Sequence, residues 1–316
     1  MAAIDPLDGK LITLFGGAGF IGTYVAEKLL ERGARLRIAS RHPEQAFKLK
    51  PLAKLGQLQF VRADITRPRS VAICLEGADM AVNLVGTFKG DLMGVMGEGA
   101  GNVARAAAEA ECAAHIYVSA IAADPQSEAG YARAKAEGER QAFEAFPNTT
   151  VLRPSLLFGQ DDEFVNMFAG LIAKMPALPV FAPDAELQMV FVDDVAKAVV
   201  EALADPAKHG GKTFELGGPE AVTMMEFNRR IAAAQGRERS FIPLPDFASA
   251  AFAAIPGTPM GKDQWNLLQG GNVASKDMPG FKQLGIVPRP LGLYLDEWMV
   301  PYRKQGRFST PVTGRT

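Results

Sequence analysis

The sequence predicts an α/β fold: a doubly wound parallel sheet followed by a smaller C-terminal α+β lobe. Strand-like and helix-like segments alternate from residue 11 to about residue 154, the pattern of a parallel sheet with helices on both faces. A glycine cluster separates the first strand from the first helix. From Ser155 onward prolines become frequent and the alternation stops. We therefore place a first domain at residues 1–154 and a smaller lobe at residues 155–316.

The chain opens with a strand, a glycine turn and a helix. Leu11–Phe15 is apolar or β-branched throughout, as expected of a strand buried on both faces. Helical composition then runs from Tyr24 to Arg32 and stops at Gly33. The glycines between them fit GxGxxG and also GxxGxxG, which in this setting predict a Rossmann dinucleotide site. Such a turn brings a diphosphate to free N–H groups at the positive end of the helix dipole.

The end of the second strand bears on the choice of cofactor. Arg35–Ala39 forms this strand, and Ser40 and Arg41 follow it, where the loop faces the adenosine ribose. A free 2′-hydroxyl usually meets an acidic residue there, whereas a hydroxyl and a guanidinium suit a 2′-phosphate. The alternative is that Arg41 is an ordinary surface arginine. The sequence therefore favours NADP(H) over NAD(H).

The remaining elements of the first domain follow in order. Leu58–Val61 is the third strand, and Asp64 and Ile65 after it are placed to border the adenine. Asp64 is alternatively the cap of the helix that Pro68 opens. The later elements are a fourth strand over Met80–Val85 that ends at Gly86, a long alanine-rich helix over Met93–Glu111, and strands over His115–Ser119 and Val151–Pro154.

In the smaller lobe two segments have strand character. These are Gln188–Val192 and Thr213–Leu216, with a capped helix over Asp193–Ala204 between them. We expect residues 188–199 to return to the core.

One tyrosine–lysine pair has the chemistry that hydride transfer needs. Tyr131 and Lys135 lie one helical turn apart, after the fifth strand. Lys135 is expected to lower the pKa of the phenol and to hold the nicotinamide ribose, while Tyr131 exchanges a proton with a carbonyl. The same spacing at Tyr24 and Lys28 falls on the phosphate-binding helix, where no catalytic role is expected.

Composition excludes several classes of function. The net charge of −1 gives no reason to expect nucleic acid. Cys74 and Cys112 lie in apolar surroundings and fit a reducing compartment, and the three scattered histidines do not predict a metal site. No segment approaches the roughly 20 apolar residues of a membrane span. With Asp5 and Asp8 where a signal peptide would be basic, we expect a cytoplasmic chain.

Several motifs together resemble the short-chain dehydrogenase/reductase superfamily in its extended and atypical branches. They are GGAGFIG at 16–22, YARAK at 131–135, LRPS at 152–155 and FVDDVAKAV at 191–199. NLVG at 83–86, VSAI at 118–121, LGGP at 216–219 and NVAS at 272–275 are most similar to the nicotinamide-nucleotide-binding accessory subunit of respiratory complex I and its bacterial relatives. This resemblance implies an NADP(H) held in a peripheral arm subunit, with no turnover assigned.

The candidate residues fall into two sets. The catalytic set is Tyr131, Lys135 and Ser119. The cofactor-binding set is Gly16, Gly17, Gly19, Phe20, Ile21, Gly22, Ser40, Arg41, Asp64, Ile65, Leu84, Val85, Gly86, Tyr131, Lys135 and Pro154.

Two departures from the superfamily count against catalysis. Ile121 stands where extended members place a serine or threonine that binds the substrate oxygen, so Ser119 substitutes only if the loop shifts register. Met96 lies near the place of a frequent asparagine. An enzyme without its oxygen donor loses transition-state stabilisation.

The C-terminal segment is basic and aromatic. It carries Arg303, Lys304, Arg307 and Arg315, together with aromatic residues from Tyr294 to Phe308. It either rests on an anionic membrane surface or a partner, or is a solvated tail.

Two hypotheses follow from these observations. The first is an NADP(H)-binding subunit of the complex I accessory type, peripheral on the inner face of the respiratory membrane. The alternative is an active NADP-dependent oxidoreductase or epimerase acting on a hydroxyl or ketone of a nucleotide sugar, sterol or isoprenoid.

Overall fold

The computed structural model describes residues 5–245 and 262–304. The chain divides into two compact units. Unit 1 draws on residues 1–155, 192–217 and 274–288, and unit 2 on residues 156–191, 218–273 and 289–316. The chain therefore passes between the units more than once.

The strands, numbered along the whole chain, share a parallel arrangement in all but one pair. They are β1 Leu11–Phe15, β2 Arg35–Ser40, β3 Leu58–Arg62, β4 Met80–Asn83, β5 Ala114–Val118, β6 Thr150–Pro154, β7 Leu157–Phe158, β8 Ala177–Val180, β9 Glu186–Leu187, β10 Val190–Phe191, β11 Thr213–Leu216, β12 Val222–Thr223 and β13 Ser240–Pro243.

The helices are numbered in the same way. They are α1 Phe20–Glu31, α2 Pro68–Leu75, α3 Gly99–Glu109, α4 Gly130–Ala145, α5 Glu163–Lys174, α6 Val192–Ala204, α7 Pro206–His209, α8 Met224–Ala234, α9 Lys262–Gln269 and α10 Gly292–Trp298. Three 3₁₀ segments (Pro43–Leu52, Phe281–Leu284 and Val300–Tyr302) and a π-helix (Met93–Glu98) complete the described elements.

Unit 1 is built on a seven-stranded parallel sheet. The strand order is β11-β6-β5-β4-β1-β2-β3. Every residue of β1, β4 and β5 is buried, because α1 and α6 pack together as one group of helices and α2, α3 and α4 as another. The carboxyl ends of all seven strands meet at one edge of this sheet, where the residues of the candidate site follow. The predicted doubly wound α/β fold is confirmed.

Thr213–Leu216 belongs to this sheet and not to the smaller lobe, so that expectation was wrong. β11 pairs in parallel with β6, Thr213 opposite Val151 and Leu216 opposite Pro154. The predicted strand over Gln188–Val192 is also shorter than expected: only Val190–Phe191 is extended, and α6 begins at Val192. Strand pairing over more than 50 residues of separation is decided by packing that local composition does not reveal.

The predicted helix over Met93–Glu111 has two parts. Met93–Glu98 is a π-helix, and α3 continues from Gly99 to Glu109. The hydroxyl of Tyr117 on β5 donates to the Met96 carbonyl oxygen at 3.1 Å. Gly138 of α4 lies against both groups, and a side chain there would overlap them. The wide π turn thus packs directly on β5 and α4.

Unit 2 contains three small sheets and several helices. β7 pairs with β10 and β8 with β13 in parallel, while β9 and β12 pair antiparallel. Two of its helices are capped by side chains, α5 by Asp162 and α8 by Thr223. An aromatic cluster of Phe158, Phe191, Tyr294 and Trp298 lies within this unit.

Candidate functional site

The glycine turn after β1 leaves no room for side chains. Gly16 has a φ of +81°, and a Cβ there would lie 3.2 Å from the backbone of Leu84 and Val85. A Cβ on Gly22 would lie 2.5 Å from the Gly16 carbonyl oxygen and 2.6 Å from the Cα of Gly17. The turn therefore packs directly on the start of α1 and on the residues after β4.

The N-terminus of α1 is open to an anion. Gly19 precedes the helix in extended conformation, no side chain caps it, and its first turn has no acidic residue. The first N–H groups of a helix, here those of Phe20, Ile21 and Gly22, have no acceptor within the helix. The helix dipole adds positive potential at the same point. This arrangement fits a diphosphate, whereas the N-termini of α5 and α8 are occupied by their own side chains.

Basic side chains follow the two strands at the edge of the sheet. Arg41 is exposed after β2, and Ser40 lies opposite Arg62 in the pairing of β2 with β3. The Ser40 hydroxyl accepts from the backbone N–H of His42 at 3.2 Å. Arg62 was not among the predicted site residues, because only its register beside Ser40 distinguishes it from any other surface arginine.

Asp64 holds its own loop and does not cap α2, so the capping alternative is wrong. Its carboxylate accepts from the backbone N–H and the hydroxyl of Thr66, at 3.1 and 2.8 Å. The residue that caps α2 is Arg67. Burial raises the pKa of Asp64, but the Thr66 hydrogen bonds and the charges of Arg67 and Arg41 outweigh it and lower the pKa below its usual value. Arg41 thus lies close enough to influence this carboxylate.

Two buried asparagines fix the backbone next to the glycine turn. Asn102 of α3 donates to the Ile65 carbonyl oxygen at 2.9 Å. Asn83 accepts from the Val85 N–H at 3.1 Å, and the Leu84 N–H donates to Phe15. Sequence analysis missed the role of Asn102; a lone amide within an alanine-rich helix was the available signal.

Lys135 is pinned between two strands. Its ammonium donates to the carbonyl oxygens of Val85 at 3.2 Å and Val118 at 2.8 Å, after β4 and at the end of β5. The Tyr117 ring lies 5.1 Å from the ammonium. Burial lowers the pKa of Lys135 to about 8, although Glu139 opposes the shift. Next to it Gly86 is exposed, and the lysine approaches the place of its missing side chain.

Tyr131 does not have the lowered pKa that its spacing to Lys135 led us to expect. Desolvation raises the pKa of Tyr131 to about 12. The ring stacks on Phe88, with centroids 4.4 Å apart and planes inclined by 16°. Phe88 is half-exposed and comes from the loop after β4, so it was not predicted. The Lys135 ammonium is instead directed to two backbone carbonyl oxygens.

Ser119 and Pro154 lie at the ends of β5 and β6. The Ser119 hydroxyl is buried and has no hydrogen-bond partner among the described residues. Its N–H donates to Leu152 at 2.7 Å, and the N–H of Ile121 donates to the Pro154 carbonyl oxygen at 3.0 Å. Buried hydroxyls are normally paired, so Ser119 offers an unused donor at the edge where the other candidates lie.

The second tyrosine–lysine pair has a structural role. The Lys28 ammonium lies 3.2 Å from Glu31 and 3.4 Å from Asp193 of α6, so it joins two helices. The Tyr24 ring packs edge-on against Phe20.

Neither cysteine nor histidine forms a reactive centre in the described part of the chain. Cys74 and Cys112 are buried free thiols, and burial raises the pKa of Cys112 to about 11. Within residues 5–245 and 262–304 no group of three potential ligands is arranged to hold a metal ion. No helix in those ranges is both long and apolar enough to cross a membrane.

Part of the predicted basic tail lies outside the described residues, namely Arg307, Phe308 and Arg315. Within unit 2, Arg303 donates to the carbonyl oxygens of Ala234 and Asp296, both at 3.0 Å. Lys304 is exposed.

Comparison with known proteins places this site in a family. The model of the NAD dependent epimerase/dehydratase family matches residues 12–217. NADH dehydrogenase (ubiquinone) 1 alpha subcomplex subunit 9 of Mus musculus is 30% identical over 301 residues, 91% of this chain and 79% of that protein. The ceramide reductase of Caulobacter vibrioides is 28% identical over 240 residues, 75% of this chain and 74% of that protein.

Solved structures share the fold. The NADPH-dependent quinone oxidoreductase of Escherichia coli, complexed with NADPH, superposes with a TM-score of 0.74 at 20% identity, covering 90% of this chain and 99% of that one. At that identity the match shows the NAD(P)-binding fold alone. The family match covers well over half of the chain and includes the glycine turn and the Tyr131–Lys135 pair. The chain therefore belongs to the NAD dependent epimerase/dehydratase family.

Proposed function

We propose that this chain holds NADP(H) as an accessory subunit of the respiratory complex I type, with the nucleotide in a structural or regulatory role. The observation that carries the proposal is an intact nucleotide cradle beside an incomplete catalytic set. The glycine turn and the open N-terminus of α1 fit the diphosphate. The position of the usual oxygen donor is occupied by Ile121. The mouse relative, named as a subunit of NADH dehydrogenase, supports this function.

The surroundings of Tyr131 and Lys135 favour anchoring over proton transfer. A phenol with a pKa of about 12 is a poor proton donor at neutral pH, and Phe88 covers one face of its ring. Lys135 is held by two carbonyl oxygens, which orients its ammonium at the strand ends without making it mobile. In this role Tyr131 and Lys135 bind the nicotinamide ribose. Hydride chemistry belongs to the nucleotide when it is bound.

A preference for NADP(H) is supported by charge at the adenosine end. No acidic side chain follows β2 at Ser40 and Arg41, where an NAD-specific site would bind the ribose 2′-hydroxyl. Arg41 and Arg62 follow adjacent strands and supply two guanidinium groups for a 2′-phosphate.

The partner and location follow from the relatives and not from the site. A chain of this type would lie in the peripheral arm, in the cytoplasm of a bacterium, on the inner face of the respiratory membrane. Tyr294 and Trp298 of unit 2, together with the basic residues that follow, supply a surface for that contact.

A reductase remains the second candidate, and one observation favours it. The buried Ser119 hydroxyl lacks a partner and is a ready donor to a substrate oxygen. The Caulobacter relative is named a ceramide reductase, which fits an NADP-dependent enzyme acting on a ketone or hydroxyl. Under this alternative Tyr131, Lys135 and Ser119 are the catalytic residues.

The first experiment identifies the nucleotide. The purified chain is denatured, the released nucleotide is identified by mass spectrometry, and the emptied protein is titrated with NADPH and NADH. We expect NADPH to be retained and to bind more tightly than NADH. Absence of measurable affinity for either nucleotide would refute the proposal.

The second experiment separates the two candidates. Tyr131→Phe removes only the hydroxyl, and Tyr24→Phe is the matched control on α1. A subunit should retain NADPH in both variants and should copurify with a large respiratory assembly on fractionation of membranes. A ketone-dependent oxidation of NADPH that disappears in Tyr131→Phe and persists in Tyr24→Phe would establish the reductase instead.

A further inference from the structure

The segment after β2 presents apolar and cationic side chains side by side. Residues 41–62 carry five lysines or arginines and one acid, in a chain whose net charge is −1. Within nine residues of this segment lie three of the large hydrophobic side chains that the described surface exposes. We name these side chains the lysine–leucine surface: Phe47, Lys48, Lys50, Leu52, Lys54 and Leu55.

The 3₁₀ segment Pro43–Leu52 determines which side chains face outward. With three residues per turn, Ala46 and Leu49 fall on one face, and both are fully buried. The other faces carry Phe47, which is 45% exposed, and the exposed lysines. The segment is therefore attached to unit 1 by its inner face while its outer faces remain accessible.

The exposed apolar side chains are supported rather than loose. The Phe47 ring packs edge-on against Phe60 of β3, with centroids 5.0 Å apart. The Lys50 ammonium lies 3.7 Å from the centre of the Phe47 ring. Leu52 is 52% exposed and Leu55 is fully exposed. Full exposure of a leucine costs hydrophobic free energy that only an apolar environment would recover.

The composition indicates the kind of environment. Protein–protein interfaces are depleted of lysine and enriched in arginine and large aromatic residues. Segments that lie in a membrane interface combine lysines with leucine and phenylalanine, because the ammonium groups meet anionic headgroups while the apolar side chains enter the acyl boundary. The three lysines and two leucines match the second pattern.

We propose that the lysine–leucine surface docks unit 1 onto an anionic lipid surface. The lysine ammonium groups neutralise lipid phosphates, and Leu52 and Leu55 insert among the headgroups. This site is distinct from the glycine turn and from the basic C-terminal segment, and the proposal does not depend on the function proposed above.

The test uses the full chain and sedimentation with vesicles. Vesicles of phosphatidylcholine alone are compared with vesicles that also contain phosphatidylglycerol. We expect binding only to the phosphatidylglycerol vesicles, weakening as salt is added. The triple variant Lys48→Glu, Lys50→Glu, Lys54→Glu should bind on the order of 100-fold more weakly, and Leu55→Ser about 10-fold more weakly.

Matched controls keep the same change of charge and polarity elsewhere. Lys208, Lys276 and Lys282 are exposed lysines away from this segment, and their triple replacement by glutamate should leave vesicle binding within about twofold of the unmodified chain. Leu293 in unit 2 is 64% exposed and serves as the control for Leu55 when replaced by serine. Circular dichroism and NADPH affinity should be unchanged in all four variants.

Three results would overturn the proposal. The unmodified chain does not sediment with phosphatidylglycerol vesicles; or the lysine–leucine variants bind as tightly as the unmodified chain, which would place the contact elsewhere; or the control triple variant loses as much affinity, which would reduce the effect to net charge. Retention by an acidic protein without vesicle binding would indicate a protein partner and would also refute docking to lipid.

Discussion

Replacing Gly22 by alanine is the sharpest test of the nucleotide cradle. A Cβ at this position would lie 2.5 Å from the Gly16 carbonyl oxygen and under 3.0 Å from two further backbone atoms of Gly17. Since real Cβ contacts below 3.0 Å essentially do not occur, the turn must move by about 0.5 Å. Backbone cannot rotate away as a flexible side chain would. The displacement therefore falls on the N–H groups that are to bind the diphosphate.

The magnitude follows from two opposing effects. Alanine gains about 1 kcal/mol over glycine within a helix. Overpacking against rigid backbone costs about 1–3 kcal/mol. We expect a net loss of up to about 2 kcal/mol, which in a unit of this size lowers the Tm by about 4–8 °C. Nucleotide affinity should fall at least about tenfold, the equivalent of 1.4 kcal/mol, because the displaced N–H groups no longer meet the diphosphate oxygens together.

The assay combines thermal unfolding with NADPH titration. The matched control is Gly170→Ala in α5, where a Cβ would meet no atom within 4 Å. That variant gains only helix propensity, so its Tm should rise slightly and its NADPH affinity should stay the same. A Gly22→Ala protein with unchanged Tm and unchanged affinity would show that the turn is not packed as described, and the cradle would lose its structural basis.

Three further predictions concern other parts of unit 1. Arg41→Ala and Arg62→Ala should each weaken NADPH binding about tenfold, because each removes a charge-assisted contact to the 2′-phosphate, and should leave NADH titrations unchanged. Burial lowers the pKa of His115 to about 3 from 6.5, so the unfolded chain takes up a proton that the folded chain does not, and stability falls as pH falls from 6.5 towards 3. His115→Gln should flatten that pH dependence of the urea midpoint. Tyr117→Phe loses the hydrogen bond to Met96 and should lower the free energy of unfolding by about 1–2 kcal/mol in urea titrations while NADPH affinity persists.

Each of these predictions has its own contrary result. Equal losses of NADPH and NADH affinity in the arginine variants would mean that they contact a part of the cofactor common to both. An unaltered slope in His115→Gln would assign the acid sensitivity to other groups. Tyr117→Leu, which removes the ring as well, is the comparison for Tyr117→Phe and should also disturb NADPH binding through Lys135.

The fold of the first 154 residues was predictable because its signals are local. β1 and α1 announce themselves through an apolar run, a glycine cluster and a helical stretch within about twenty residues of sequence. All six predicted strands of this region are confirmed as neighbours in one parallel sheet. Side chains that follow those strands then share an edge by geometry alone, so the candidate residues could be assembled without coordinates.

The rest depended on pairings between distant segments. Thr213–Leu216 has the composition of a strand in either unit, and only hydrogen bonding to β6 assigns it to the main sheet. The stacking of Phe88 on Tyr131 and the direction of the Lys135 ammonium join loops and helices more than 40 residues apart. Sequence spacing predicted a tyrosine with a lowered pKa; desolvation, which depends on everything packed around the ring, raises it to about 12.

The sequence by itself determined the chemistry that the chain offers: a glycine turn for a diphosphate, an arginine for an extra phosphate, and an isoleucine in place of a hydroxyl. Only the tertiary structure decided which charges and hydroxyls are available, because burial and hydrogen-bond partners come from residues remote in the chain. Ser119 and Lys135 show the difference. Both were candidates by position, yet packing leaves the hydroxyl unpaired and binds the ammonium to two carbonyl oxygens.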